Sequence, residues 1–447
     1  MRRSQKHALA TILLTLPLAF ASAQELDQIP PPPLRDPEAI EVPLGTAHLT
    51  NHGRPIPAGW NVAATADALG VYDSNPLSVS DPQGEFEQRY SADVSVTDRA
   101  KHTSYQAVYE PSYSLHKRYD QLNMLEQNFS QVLWHDFSPQ TAMSWRVNAQ
   151  RYPSWGGSAF AGSAFGALLM QLTGISGLDL RQEVTRGTMG LSLERVEGFR
   201  SHWRIDLEGG ASRYQPTSES QIVALLTAPG SSTWFGEVNL LYEHHITRSR
   251  VLGVSLSDAY FTFTLPAYHS QEQIAQLRYM QYFRNGWGLM AGAGPEFREN
   301  PMVKGTLQPA MSFTADVGRT SMRSVVRVTF TDGYQLGRAQ GNLSNSVLAA
   351  SAERALLRRT YVGAFANYER SNASVPTGQL AAGNTTLVAF AGSGGVRLSR
   401  EITWFVNYGV GLQKGVLTGE KQIHRQQFVS GLSWNTNNLF RTEGGAR

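Results

Sequence analysis

From residue 60 onward the sequence alternates between apolar and polar side chains with a period of two. Trp60, Val62, Ala64, Ala66, Ala68 and Tyr72 share one parity, and Asn61, Thr65 and Asp67 take the other. Tyr90, Ala92, Val94 and Val96 alternate with Ser91, Asp93, Ser95 and Thr97. The same reading holds for Met143, Trp145, Val147 and Ala149 against Ser144, Arg146 and Asn148, and for Trp203, Ile205 and Leu207 against Arg204, Asp206 and Glu208. It returns in Met311, Phe313, Ala315 and Val317, and again in Trp404, Val406, Tyr408 and Val410. Successive side chains of a strand point to opposite faces, so a period of two marks a strand with one apolar face. One such run is weak; a series along the whole chain predicts an all-β protein of about 18 strands.

The links between these runs alternate in length. Short ones fall at 98–102, 137–140, 196–200, 246–248, 284–286, 318–321 and 399–401, and long ones at 72–84, 153–181, 213–233, 334–342, 370–384 and 414–420. Segments of roughly 9–11 residues joined by alternating short turns and long loops are the pattern of a transmembrane antiparallel up-and-down β-barrel. A soluble β-sandwich would show no such asymmetry between its two ends. A propeller or solenoid would repeat its sequence every 20–50 residues or so, and this chain does not. Outward-parity aromatics gather near the strand ends: Tyr105, Tyr113, Trp145, Trp203, Trp234, Tyr242, Trp287, Phe297, Trp404 and Trp434. Amphipathic rings at those places suit the headgroup level of a bilayer.

The N-terminus agrees with export. Arg2, Arg3 and Lys6 precede an apolar run, Ala8 to Phe20, and Ala21-Ser22-Ala23 reads as a cleavage site. That is the layout of a secretory signal peptide over residues 1–23, too short for a membrane anchor. Residues 24–58, with Pro30 to Pro33, Pro37, Pro43, Pro55 and Pro57, read as a stiff periplasmic leader. The barrel is expected over 59–435 and a tail over 436–447. Loss of the signal lowers Lys+Arg from 39 to 36, equal to the 36 Asp+Glu. A chain without net charge offers nothing to nucleic acid. With Cys 0 there is no disulfide, thiol nucleophile or thiolate metal site.

Motifs that suggest chemistry dissolve in strand geometry. Glu243-His244-His245 looks like a ligand set, but adjacent histidines of a strand face opposite ways and cannot chelate one ion. Gly392-Ser393-Gly394-Gly395 and Gly292-Ala293-Gly294 lie inside alternating strands rather than ahead of a helix, so they are not phosphate loops. Asn342-Leu343-Ser344 and Asn372-Ala373-Ser374 are chance glycosylation patterns in a Ser-rich chain. A rim hydrolase built from scattered Ser and His would leave no local motif, and the expectation is that the chain is not an enzyme and holds no cofactor.

One segment has a likeness. Tyr109-Glu110-Pro111-Ser112-Tyr113, then Lys117-Arg118-Tyr119-Asp120 and Leu122-Asn123, then Phe137-Ser138-Pro139-Gln140-Thr141, resembles outer-membrane barrels encoded with exopolysaccharide and exosortase loci. In that group a strand ends in a short Ser-Pro turn before the next strand. The likeness covers about Tyr105 to Trp145; it departs at Gln140, where a basic residue is expected, and after Trp434, where the usual terminal aromatic is expected. It implies an outer-membrane barrel accessory to polysaccharide export, with no active site.

The inward parity is where function should lie. It carries Arg89, Asp93, Arg146, Arg204, Asp206, Glu208, Glu237, Arg278, Asp316, Arg327 and Arg397, with Glu194, Glu243 and Glu296. Charges lining a polar lumen tune which solutes pass, and this mixed set favours neither sign. In the longest link, Phe165, Leu168, Leu169, Leu172 and Ile175 fall on one face of a short helix, and Ile222, Val223, Leu225 and Leu226 form a second apolar patch. These are the candidate lid or constriction, with a rim contact to lipid or a neighbouring subunit as the alternative. The expectation is an outer-membrane channel or export conduit for small polar or carbohydrate solutes, the alternative a non-conducting structural or secretion-accessory barrel. Outer-membrane lipid, the barrel-assembly machinery and the solute or polysaccharide are the expected partners. An even strand count puts both termini in the periplasm. A cysteine at Ser158 should therefore react with an impermeant maleimide on intact cells, and one at Ala100 should not; the opposite labelling would invert the topology.

Overall fold

A computed structural model describes residues 60–441 apart from the links 75–83, 119–122, 154–181, 217–231, 265–266, 300–306, 338–340, 375–384 and 415–422 and isolated turn positions. The signal segment, the leader, both lid patches and residues 442–447 lie outside the described residues. Eighteen antiparallel strands form one sheet in which each strand pairs with its chain neighbours, and β1 (Asn61–Asp73) pairs in turn with β18 (Ile423–Arg441). The sheet is closed. No edge is left unpaired, which is the condition for strands to cross a bilayer.

The order is β2 (Glu85–Arg99), β3 (Thr103–His116), β4 (Met124–Ser138), β5 (Thr141–Pro153), β6 (Gln182–Glu197), β7 (Ser201–Pro216), β8 (Ser232–Thr247), β9 (Arg250–Thr264) and β10 (Ala267–Tyr282). Then follow β11 (Trp287–Glu299), β12 (Leu307–Thr320), β13 (Ser324–Gly337), β14 (Gly341–Leu357), β15 (Thr360–Ser374), β16 (Thr385–Arg397) and β17 (Ile402–Lys414).

Three expectations are corrected. The strands are longer than a 9–11-residue crossing requires, from 13 residues in β1 to 19 in β18, so they project beyond the bilayer. The link expected to be long at 334–342 shortens to 338–340, because both strands continue in register to Gly337 opposite Gly341. Residues 436–441, expected to belong to a tail, complete β18 and bring Phe440 opposite Val62.

Short turns at one end of the barrel are held by their own side chains. Ser399 Oγ accepts the amides of Glu401 and Ile402 at 3.2 and 3.0 Å, and Ser138 Oγ accepts that of Gln140 at 3.2 Å. Small hydroxyl residues offer a turn this local bond at little steric cost. Gly198 and Gly286 supply the positive φ that two other turns need, 63° and 82°.

The outer wall follows the expected parity. On β5, β6 and β7 the outward rows are Arg151–Thr185–Arg213, Ala149–Gly187–Ala211, Val147–Met189–Gly209, Trp145–Leu191–Leu207, Met143–Leu193–Ile205 and Thr141–Arg195–Trp203. The first and last rows lie ten residues apart on every strand. At about 3.3 Å per residue and a tilt near 40°, that is roughly 25 Å along the barrel axis, the height of a hydrocarbon band. Four apolar rows between two polar ones therefore mark where the bilayer sits.

The seam is fastened on the inward side. Arg425 on β18 donates from Nη2 and Nε to Asp73 Oδ2 of β1 at 2.6 and 2.9 Å, and Gln427 Nε2 donates to the same oxygen at 2.6 Å. All three are buried. Removing one partner of a buried pair costs about 3–5 kcal/mol. Arg425→Ala should lower the temperature at which the folded gel band of the barrel is lost, whereas the exposed Arg195→Ala, whose pair with Glu197 is solvated, should leave it unchanged.

Candidate functional site

Every lumen residue expected from the sequence falls on the inward parity, but they do not assemble into one site. They separate into groups along the wall. On β5–β7 Arg204 donates from Nε and Nη2 to Asp206 Oδ1, both at 2.9 Å, and from Nε to Ser192 Oγ at 3.0 Å. Arg146 Nη2 approaches the same carboxylate oxygen at 3.6 Å, so two guanidinium groups converge on one buried acid. The small residues across from them, Gly190 opposite Arg146 and Ser192 opposite Asp206, leave room for both guanidinium side chains.

A second group joins β12 to β13, where Arg327 Nε and Nη2 donate to Asp316 Oδ2 at 2.8 and 2.6 Å. A third lies on β2: Arg89 donates to Glu87 Oε1 at 2.8 Å and to Ser114 Oγ of β3 at 3.2 Å. Asp93, four positions from Arg89 on the same inward face of β2, is buried as well. Glu208 faces Glu237 directly across β7 and β8, a like-charge pair, and Asn239 Nδ2 donates to Glu237 Oε1 at 2.9 Å. Arg278 on β10 reaches Met290 Sδ at 3.1 Å, and Arg397 ends β16 opposite Thr403. Charge-assisted bonds of this kind hold side chains against the wall instead of leaving them free in the lumen.

Sequence reasoning placed Glu194, Glu243 and Glu296 inward but missed His202, Arg298 and Glu272 beside them. His202 stands between two acids, with Nε2 2.6 Å from Glu194 Oε1 and Nδ1 3.4 Å from Glu243 Oε2. Its parity was visible, but the meeting of residues from β6, β7 and β8 depends on register. Glu243 thus works with His202 rather than with its sequence neighbour: His244 lies on the outward parity, its Nδ1 3.2 Å from Ser201 Oγ. Glu296 and Arg298, inward on β11, are fully buried, and Arg298 Nη2 lies 3.7 Å from Glu272 Oε2.

Apolar inward residues are the larger surprise. Val71, Ala389, Ala391, Phe405 and Val429 form a buried cluster with Leu69 and Phe365 packed against it, all on inward parity across β1 and β15–β18. Near the short-turn end, Val251, Met280 and Met290 form another, with Tyr282 beside them. The Gly392–Gly395 stretch belongs to this wall: Tyr361 lays its ring over Gly395, its cross-strand partner, where no Cβ would fit. Among the described residues no group of three or more His, Asp or Glu could hold a metal ion.

No family model matches the chain, and no curated protein matches it. Solved structures similar in shape include Pseudomonas aeruginosa OccK2 (OpdF) in complex with glucuronate, 10% identical with a TM-score of 0.45, over 84% of this chain and 98% of that one. The siderophore receptor PirA of the same organism is 9% identical with a TM-score of 0.44, over 86% and 81%. The FrpB iron transporter of Neisseria meningitidis is 7% identical with a TM-score of 0.46, over 85% and 82%. The barrel itself rests on its own closed pairing and apolar outer rows.

Asp206 draws two guanidinium groups to one carboxylate oxygen. Asp206→Asn should move the reversal potential of the reconstituted protein in a KCl gradient toward the chloride value, while Arg204→Gln should move it the other way.

Proposed function

We propose that this chain is an outer-membrane channel that passes small polar or carbohydrate solutes, with both termini on the periplasmic side. The observation that carries this reading is the inward face: paired charges of both signs, hydroxyls and amides on a closed 18-stranded barrel whose outer rows are apolar. Paired guanidinium and carboxylate groups present hydrogen-bond donors and acceptors without a strong net field, which suits neutral or weakly charged hydroxylated solutes better than small ions. An accessory part in polysaccharide export is a narrower form of the same reading, supported by the likeness over Tyr105 to Trp145. There the Ser138-Pro139 turn joins β4 to β5.

A second reading is a non-conducting barrel with a structural or secretion-accessory role. It draws on the full burial of Glu296, Arg298 and Phe405, inward residues that do not border open water. Planar-bilayer recording of the full-length protein separates the two. Repeated stable current steps support the channel, and silence in preparations that run as folded barrels supports the closed one. Gene neighbourhood then tests the narrower form, since a polysaccharide operon is expected only if the export role holds.

A further inference from the structure

The outer wall over β4–β8 carries a feature that a channel does not need. The polar row at one edge of its apolar band is Arg151–Thr185–Arg213, three exposed outward residues on adjacent strands, with Pro153–Glu183–Gln215 as the next register row beyond it. The row immediately below reads Phe129–Ala149–Gly187–Ala211–Trp234 across five strands. Two aromatic side chains thus flank a floor made only of methyl groups and a bare backbone. A Cβ added at Gly187 would meet nothing within 4 Å, nor would one at Gly236, and Gly209 is equally slight. The floor continues downward through Val147, Gly209 and Gly236, with Met189 standing in it. It is a trough in a wall that is elsewhere studded with large apolar side chains such as Leu191, Leu207 and Val238.

The trough and the arginines sit at matching depths. The Arg–Thr–Arg row marks one edge of the apolar band, about 25 Å from the opposite polar row, so it lies among headgroups while the trough lies among acyl chains. Arg151 and Arg213 spring from strands two spacings apart, roughly 10 Å between backbones, with the Thr185 hydroxyl between them. Flexible side chains of that length converge readily on one tetrahedral anion, and guanidinium forks match phosphate oxygens. The edge of the trough holds Trp234, exposed to 61%, a ring suited to the boundary between headgroup and chain.

We propose that this wall is a binding site for a membrane lipid whose headgroup bears phosphate, held between Arg151 and Arg213 with Thr185 donating, and whose acyl chain lies along the Ala149–Gly187–Ala211 floor between Phe129 and Trp234. The site is independent of the lumen, so its success or failure leaves the channel reading untouched.

Native mass spectrometry of the detergent-purified full-length protein tests it, with phosphatidic acid as probe and diacylglycerol of the same chains as control. The expected result is several-fold higher occupancy by phosphatidic acid, reduced to the diacylglycerol level by the double substitution Arg151→Gln, Arg213→Gln. Gly187→Leu keeps both guanidinium groups but fills the floor, and it should weaken retention of phosphatidic acid on its own; it also serves if the double variant does not assemble. Equal occupancy by the two lipids would overturn the proposal. So would binding indifferent to Gly187→Leu, or displacement of phosphatidic acid by millimolar inorganic phosphate, because either result leaves the acyl chain without a part.

Discussion

Everything in this molecule depends on the pairing of its first strand with its last. A strand in hydrocarbon has no water to satisfy its amides and carbonyls, so an open sheet of 18 strands would leave two unpaired edges, each costing several kcal/mol per group. Twelve register positions from Asn61 opposite Arg441 to Asp73 opposite Gln427 abolish both edges at once. The inward fastening of Arg425 and Gln427 onto Asp73 then fixes the register at the end of the seam remote from the chain termini. A one-residue slip would turn every side chain of β1 to the wrong face.

Closure also divides the chain's chemistry into two surfaces that answer to different solvents. Outside, apolar rows meet lipid, and the only outward charges along β5–β7 stand at the rims, as the cost of a charge at the midplane demands. Inside, acids and bases are drawn into cross-strand groups whose members come from two or three neighbouring strands. The inward wall is not uniformly polar either: the Phe405 cluster and the Met280–Met290 cluster interrupt it directly beside charges, with Val71 opposite Glu87 and Arg278 touching Met290.

How much of this could be read from the amino-acid sequence depends on the range of the interaction. Parity is local, and it correctly set Trp145, Leu207 and Trp404 outward and Arg146, Asp206 and Arg327 inward. Turn chemistry is local too, so the Ser399 and Gly286 turns were visible. The strand ends were less so, since pairing carried β13, β14 and β18 past the point where alternation fades. Register is long-range, and no pattern along the chain says that Asp206 will receive Arg146 from β5 or that His202 will lie between Glu194 and Glu243. The inward apolar arc was missed for a different reason. Leu387, Ala389 and Ala391 alternate with Val388 and Phe390, so the run is apolar on both faces and offers no contrast from which to judge a lumen.

The seam has a consequence for how the barrel comes into being. Asp73 and Arg425 are 352 positions apart in the chain, so the contact that seals the cylinder joins the first strand of the barrel to the last. Loop-closure entropy and contact order both make such a pairing slow. Until β18 is complete, β1 and the newest strand are naked edges, apt to pair with any neighbouring chain. An unclosed sheet would carry two reactive margins, and the final ion pair acts as the clasp that removes both together.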